Sequence, residues 1–319
     1  MHDQVTVAPS VIDVVATRAR VATRLVGREH ELELVLSAIA AGRDIVLEGP
    51  PGTGKTTMLR AIADEWGIPL FYVEGNADLT PAKLVGHHNP ARVLKEDYTP
   101  DNFVAGPLLE AMRTGGFLYL EEFNRAPDDT LNTLLAALAE RRISVPRVGE
   151  VVAAPSFRLI ASMNPYDNVG TTRLSTSISD RLCRLAIDYQ GEGAETGITE
   201  LRTEDGGGLG ARLIADAVYV TRATRSHPDL RQGSSVRGSI DTVLVANQLA
   251  LLRQITETAD WAERLDPAGA YPQLVLDAMI VALSGRIHLD EAVDTTPERV
   301  LREIWEDRFV LNPAAATPG

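Results

Sequence analysis

Cysteine, lysine and long apolar runs are scarce in this chain. Cys183 is its single cysteine, which excludes an intrachain disulfide and a cysteine-based metal site. A reducing cytoplasm is the expected compartment. No apolar run reaches the roughly 18 residues of a transmembrane helix, so none is expected. The N-terminal stretch lacks the charged-then-apolar layout of a signal peptide. Only three of the 31 basic residues are lysines, Lys55, Lys83 and Lys95, and the formal net charge is −13. Such a balance disfavours a broad nucleic-acid footprint, which needs clustered cations to neutralise phosphates. What is present suits a globular protein with a substantial core: 319 residues, 45% of them hydrophobic, enough for two domains of ordinary size.

One segment stands out. Gly49-Pro50-Pro51-Gly52-Thr53-Gly54-Lys55-Thr56 fits the phosphate-loop pattern G-x-x-x-x-G-K-[ST] at every constrained position. Its flanks fit too: Asp44 to Leu47 reads as a short buried strand, and Thr57 to Ala63 as a helix. The glycines let backbone N–H groups turn inward around phosphates, and the helix N-terminus adds its positive end. The candidate nucleotide-binding residues are therefore Gly49, Pro50, Pro51, Gly52, Thr53, Gly54, Lys55, Thr56 and Thr57. Lys55 is placed to reach the β- and γ-phosphates of ATP, and the Thr56 hydroxyl to bind Mg²⁺.

The rest of the chain falls into two patterns. Residues 1–24 carry scattered apolar positions and read as an N-terminal extension packed on the body. Glu29 to Ala41 has helical spacing. Four further strand-like segments follow: Leu70–Val73, Phe117–Leu120, Phe157–Ala161 and Leu182–Ile187. Helical patterns separate most of them. Strands alternating with helices imply a parallel sheet covered on both faces, an α/β fold spanning residues 25–190. Residues 191–210, framed by glycines, read as a linker. From 211 to 311 the strand signals disappear, and the segments Ala211–Arg225, Ser234–Gln254, Tyr271–Ser284 and Pro297–Arg308 read as an all-helical domain. Residues 312–319 read as a disordered tail.

Phe117-Leu118-Tyr119-Leu120 runs into two carboxylates, Glu121 and Glu122. At such a strand end, Glu121 is assigned to the Mg²⁺ shell and Glu122 to the attacking water. Asn164, in Ser162-Met163-Asn164-Pro165, can orient that water or touch the γ-phosphate; as an Asn-Pro pair it is equally a turn. Arg181, after Asp180, can reach a neighbouring subunit's nucleotide or form a surface salt bridge. Arg237, in Gly233 to Arg237, can approach the phosphates from the helical domain or stand as an ordinary exposed arginine.

The order of these pieces resembles the AAA+ ATPases and, within them, the MoxR branch, across roughly residues 25–310. Glu122-Phe123-Asn124-Arg125-Ala126-Pro127 is similar to that branch's D-E-x-N-R-A-P run, and Ser162 to Pro165 to its sensor 1. Ser179-Asp180-Arg181-Leu182 is similar to its L-D-R-F segment, and Gly233 to Arg237 to its sensor 2. Val26-Gly27-Arg28 resembles the adenine-pocket segment, so Val26 and Gly27 join the nucleotide-binding set. Residues 80–106 resemble the helix-2 insert, and about 141–157 the hairpin before sensor 1. Two positions depart from the pattern: Glu121 stands where Asp is usual, and Leu182 where Phe is usual. Arg184 rivals Arg181 as the trans-acting arginine.

The resemblance implies a P-loop parallel-sheet αβα sandwich with a C-terminal all-helical lid. It also implies a homo-oligomer, a hexameric ring, that spends ATP with Mg²⁺ on remodelling or activating a protein client. A partner carrying a von Willebrand factor A domain is a further implication. Two alternatives stay open: a DNA-remodelling motor, which the −13 charge disfavours, and a slow ATP-switched assembly scaffold, which Glu121 keeps alive. No Asn-Lys-x-Asp run supports a guanine-specific site.

Overall fold

The computed structural model describes residues 13–96, 98–165, 175–204, 209–255 and 269–311. The expected tail 312–319, residues 1–12 of the N-terminal extension and the Gly206-Gly207-Gly208 run lie outside the described residues. Two compact units divide the chain, the first within Met1–Pro50 and Gly54–Asp188, the second within Pro51–Thr53 and Tyr189–Gly319.

The first unit begins with α1 (Val14–Ala22), α2 (Glu29–Ala40), β1 (Ile45–Glu48), α3 (Lys55–Trp66) and β2 (Leu70–Glu74). An inserted stretch follows: α4 (Pro81–Val85), β3 (Gly86–His88), α5 (Pro90–Glu96) and β4 (Phe103–Ala105). Then come α6 (Pro107–Thr114), β5 (Phe117–Glu121), α7 (Asp128–Glu140), the hairpin β6 (Arg142–Val145) and β7 (Gly149–Val152), β8 (Arg158–Met163), α8 (Thr176–Ser179) and β9 (Cys183–Ala186).

Five of these strands form one parallel sheet in the order β2-β5-β8-β1-β9. Side chains alternate across a strand, so each apolar strand feeds two cores. Ile45, Leu47, Phe117, Tyr119 and Ile160 pack with Leu32, Leu36, Met58 and Ile62 from α2 and α3. Their neighbours Val46, Leu118, Leu120, Leu159 and Ala161 pack with Leu108, Met112, Leu131 and Leu134 from α6 and α7. The result is the expected helix–sheet–helix sandwich. α1 belongs to it: Asp13 caps the helix through Ala16 N at 2.9 Å, Val21 is buried, and Trp66 Nε1 donates to Thr17 Oγ1 at 2.8 Å. At the sheet's other end, buried Asp44 accepts from Leu159 N at 2.7 Å and from Arg141 at 2.8 Å, tying β1, β8 and the hairpin together. The insert 80–106 contains the antiparallel pair β3–β4, and residues 142–152 the antiparallel pair β6–β7.

The second unit holds α9 (Glu192–Arg202), α10 (Gly210–Ala223), β10 (Leu230–Gln232), α11 (Val236–Arg253), α12 (Ala270–Leu283), β11 (His288–Leu289) and α13 (Pro297–Glu306), with a π-helical turn at Asp307–Leu311. Two expectations need correction here. The stretch expected as a linker is largely the helix α9. Its Glu195, 2% exposed, binds Arg222 at 3.1 Å and Arg225 at 2.8 Å, and Thr199 Oγ1 lies 2.9 Å from Ser239 Oγ. Those polar anchors, not apolar periodicity, hold the helix against α10 and α11, so the glycine-rich frame reads misleadingly as a break. The domain expected to be all-helical also carries a short antiparallel pair, β10–β11.

The helices enclose a core of leucines, valines and Trp305, whose indole N–H donates to Pro272 O at 2.8 Å. Inside it Asp216 is fully buried. Its carboxylate binds Arg212 at 2.8 Å, Arg308 at 2.9 Å and the Tyr271 hydroxyl at 2.8 Å. Asp216→Ala should therefore destabilise this unit by about 3 kcal/mol or more, because two buried guanidinium groups lose their shared carboxylate. Urea unfolding followed by circular dichroism checks this, and an unchanged midpoint would refute it.

Candidate functional site

The sheet order brings three strand ends to one edge. β1 ends at Glu48 and runs into the phosphate loop, β5 ends at Glu121, and β8, which lies between them, ends at Met163 just before Asn164. Ligands of open α/β sheets bind at such carboxyl edges.

The loop backbone explains its own glycines. A Cβ on Gly49 would lie 1.8 Å from Ile187 O, so only glycine fits beneath the residue that follows β9. Gly54 caps α3 in the left-handed region at φ 85 and offers no side-chain hydrogen bond. No cap side chain occupies this end of α3, and a helix N-terminus favours an anion. Lys55 is 8% exposed, and its ammonium donates to Gly49 O and Pro50 O, both at 2.8 Å. It thus stands over the loop it serves. Thr57 is exposed; Pro51, Gly52 and Thr53 group with the second unit, Gly52 at φ 75.

Thr56 and Glu121 meet: Thr56 Oγ1 lies 3.3 Å from Glu121 Oε1. Hydroxyl and carboxylate oxygens are the hard donors that Mg²⁺ takes, a few at a time, alongside substrate phosphates. Among the described residues no group of three or more His, Cys, Asp or Glu could hold a metal ion by itself. The donors present therefore fit a nucleotide-bound Mg²⁺, not a metal caged by protein ligands alone.

Three hydroxyls that the sequence reading passed over complete this cluster. Tyr119 is fully buried, and its hydroxyl lies 3.2 Å from Thr56 Oγ1 and 3.0 Å from Ser162 Oγ. Tyr72, on β2, donates its hydroxyl to Glu121 Oε2. Burial pushes the Tyr119 phenol above its ordinary range, against the opposing effect of its hydrogen bonds with Ser162 and Thr56. One signal was legible: Tyr119 sits two residues before Glu121 and so shares its face.

Glu122 leaves the strand in a left-handed conformation, φ 53, which a non-glycine residue adopts at a cost of order 1 kcal/mol. This turns it out of the ladder. Its carboxylate pairs with Arg125 at 3.0 Å across the short turn Phe123–Arg125, and Asn124 beside it is buried. Gly75 lets β2 come close: a Cβ there would lie 2.3 Å from Glu122 O. Asn164 is half-buried at its strand end. Gly27 takes φ 63, and Arg28, 5% exposed, donates to Asp188 O at 2.6 Å and pairs with Glu31, which fixes the Val26–Arg28 segment beside the residues after β9.

The two candidate arginines of this unit are placed differently. β9 runs parallel to β1 with Cys183 opposite Ile45. Arg181 therefore lies at the amino edge of the sheet, opposite the phosphate loop, exposed and donating to Ser177 O at 2.7 Å. The structure does not bring it to its own chain's loop. Arg184, mid-strand, is bound by Glu48. In the second unit, Arg225 Nε donates to Ser234 O at 2.7 Å and Thr224 Oγ1 accepts from Ser234 N at 2.9 Å, shaping the turn before α11. Arg237 is exposed in the first turn of that helix, a position where the helix dipole disfavours a cation.

A glycine loop between β1 and α3, a hydroxyl–carboxylate pair and a polar strand end in a β2-β5-β8-β1-β9 sheet define a P-loop nucleotide-binding domain. Residues 44–182 match the family described as AAA domain, dynein-related subfamily. The chain is 28% identical over 229 residues to the gas vesicle ATPase GvpN of Ancylobacter aquaticus, across 66% of this chain and 62% of that protein. It thus spans about three fifths of that relative's length. The Thermotoga maritima RuvB Holliday junction branch migration motor superposes with a TM-score of 0.52 at 15% identity, over 83% of this chain and 72% of that one. NtrX from Brucella abortus, in complex with ADP, does so with a TM-score of 0.51 at 23% identity, over 74% and 53%. At such identities the two structures speak for the fold alone. These likenesses give residues 44–182 the character of an AAA-type P-loop ATPase domain.

Proposed function

We propose that this chain hydrolyses ATP with Mg²⁺ and uses the cycle to remodel or activate a protein client, as a ring-forming AAA+ ATPase of the MoxR branch. The observation that carries the hydrolytic reading is the approach of Thr56 Oγ1 to Glu121 at 3.3 Å, with Glu122 next along the chain. Lys55 and the first turn of α3 bind the phosphates. Thr56 and Glu121 would hold Mg²⁺, which supplies charge neutralisation at the phosphates when bound. Glu122 takes the proton of the attacking water, and Asn164 orients that water. Arg181, at the sheet edge away from its own loop, serves a neighbour's site, and Arg237 reaches the phosphates from residues 211–311, acting as a lid.

The branch assignment is supported by the Glu122–Pro127 run, with its Glu122–Arg125 pair at 3.0 Å, and by the insert and hairpin that the branch's pattern calls for. A von Willebrand factor A domain partner and a cytoplasmic setting belong to the same proposal. Among the described residues no helix is long and apolar enough to cross a membrane.

The test is steady-state ATP hydrolysis per subunit across protein concentrations with Mg²⁺, beside Lys55→Ala. Turnover that rises and saturates with assembly is expected of a shared site. Lys55→Ala should weaken ATP binding by about 10²-fold, the equivalent of one buried charge-assisted contact of about 3 kcal/mol. Full ATP affinity in that variant would sink the phosphate-loop assignment. Tight binding with background turnover at every concentration would favour the switched scaffold.

A further inference from the structure

Glutamate carries its carboxylate one methylene farther from the backbone than aspartate, with one more free rotation. At a position that must present an oxygen to a metal, something has to restrain it. The register of the edge strand supplies the restraint. β2 pairs with β5 in parallel, Tyr72 opposite Tyr119 and Glu74 opposite Glu121. Residues two apart share a face, so Tyr72 lies on the same side of the sheet as Tyr119 and Glu121. Its ring meets that of Tyr119 edge-on, with centroids 5.7 Å apart at 62°. From there the hydroxyl donates to Glu121 Oε2, while Oε1 faces Thr56 Oγ1 at 3.3 Å. The two carboxylate oxygens are thus divided between two hydroxyls.

We propose that Tyr72 is a positioning residue for the divalent cation: its O–H fixes one oxygen of Glu121, so that the other stands with the Thr56 hydroxyl as the protein's two-oxygen seat for a nucleotide-bound metal. This rests on the ATPase reading above. A tyrosine hydroxyl has one O–H to donate, and a carboxylate accepts at both of its oxygens. Packing alone does not explain the residue: phenylalanine would give the same edge-on contact with Tyr119 but no donor to Glu121.

Tyr72→Phe isolates the hydroxyl. Metal is titrated into the full chain with a fluorescent ADP analogue, using Mg²⁺ and then Mn²⁺, and binding is repeated in EDTA. Tyr72→Phe should raise the half-saturating metal concentration about tenfold, the usual scale for losing a hydrogen bond that orients a metal ligand. Metal-free nucleotide affinity should stay unchanged. In a Glu121→Asp background the shorter side chain no longer spans both partners, so adding Tyr72→Phe should change the metal titration little. An unchanged metal titration in Tyr72→Phe overturns the proposal. So does an equal loss of metal-free and metal-dependent binding, which would mean a packing role only. Absence of nucleotide binding by the unaltered chain would overturn the ATPase reading and this inference with it, whereas normal binding with an unmoved metal dependence removes the inference alone.

Discussion

Arg181→Ala should lower ATP hydrolysis by roughly 10³-fold or more while the variant's own loop still binds nucleotide. The reason is positional. β9 starts opposite the start of β1, and the phosphate loop follows the end of β1, so the length of the strand separates Arg181 from the nucleotide of its own chain. Only a neighbouring copy's nucleotide is then within the reach proposed for it. A guanidinium there matches the charge that spreads over the transferred phosphoryl oxygens. Arg184→Ala should cost far less, because that side chain is engaged with Glu48 on its own sheet. Mixing provides the sharper test. In a ring containing both Arg181→Ala and Glu122→Gln chains, an Arg181→Ala site beside a Glu122→Gln neighbour has an intact base and receives an intact arginine. Activity should therefore reappear at intermediate ratios. If rings demonstrably mix and no ratio restores turnover, the shared site is wrong.

Glu122→Gln should bind ATP normally and hydrolyse it about 10²- to 10⁴-fold more slowly, the range for losing a positioned general base. The substitution preserves shape, and glutamine meets the same backbone demand at φ 53 that glutamate does. Its pair with Arg125 is more than one third exposed on both sides, so losing it should cost little stability. Single-turnover hydrolysis separates chemistry from product release. Near-normal rates would move the base elsewhere. Glu121→Gln should behave differently, weakening metal dependence before it affects the protonation step.

Much of the candidate site was legible in the sequence because it is local. The phosphate loop needs consecutive residues between a strand and a helix, and Gly49 to Thr57 state that in one line. Glu121 and Glu122 end an apolar run whose alternation already divides it between two cores. What was hidden depends on register. Tyr72 and Glu121 are brought together only by the β2–β5 pairing, and Tyr119, flanked by Leu118 and Leu120, passes for another apolar strand residue. α9 was hidden for a different reason. Its holding contacts are the Glu195–Arg222 and Glu195–Arg225 pairs, which join residues far apart in the chain, while its nearest glycines mimic a break. The strands β3, β4, β10 and β11 are two or three residues long, too short for any alternation to show.

The single thiol has a practical corollary. Cys183 is exposed at the first position of β9, two residues beyond Arg181. A maleimide dye would attach once per chain without any engineered cysteine, close to the edge proposed to face the next copy. Two colours on two batches of protein would turn subunit exchange into an energy-transfer signal. The same fluorophore would report whether nucleotide draws neighbouring copies together before any phosphate is released.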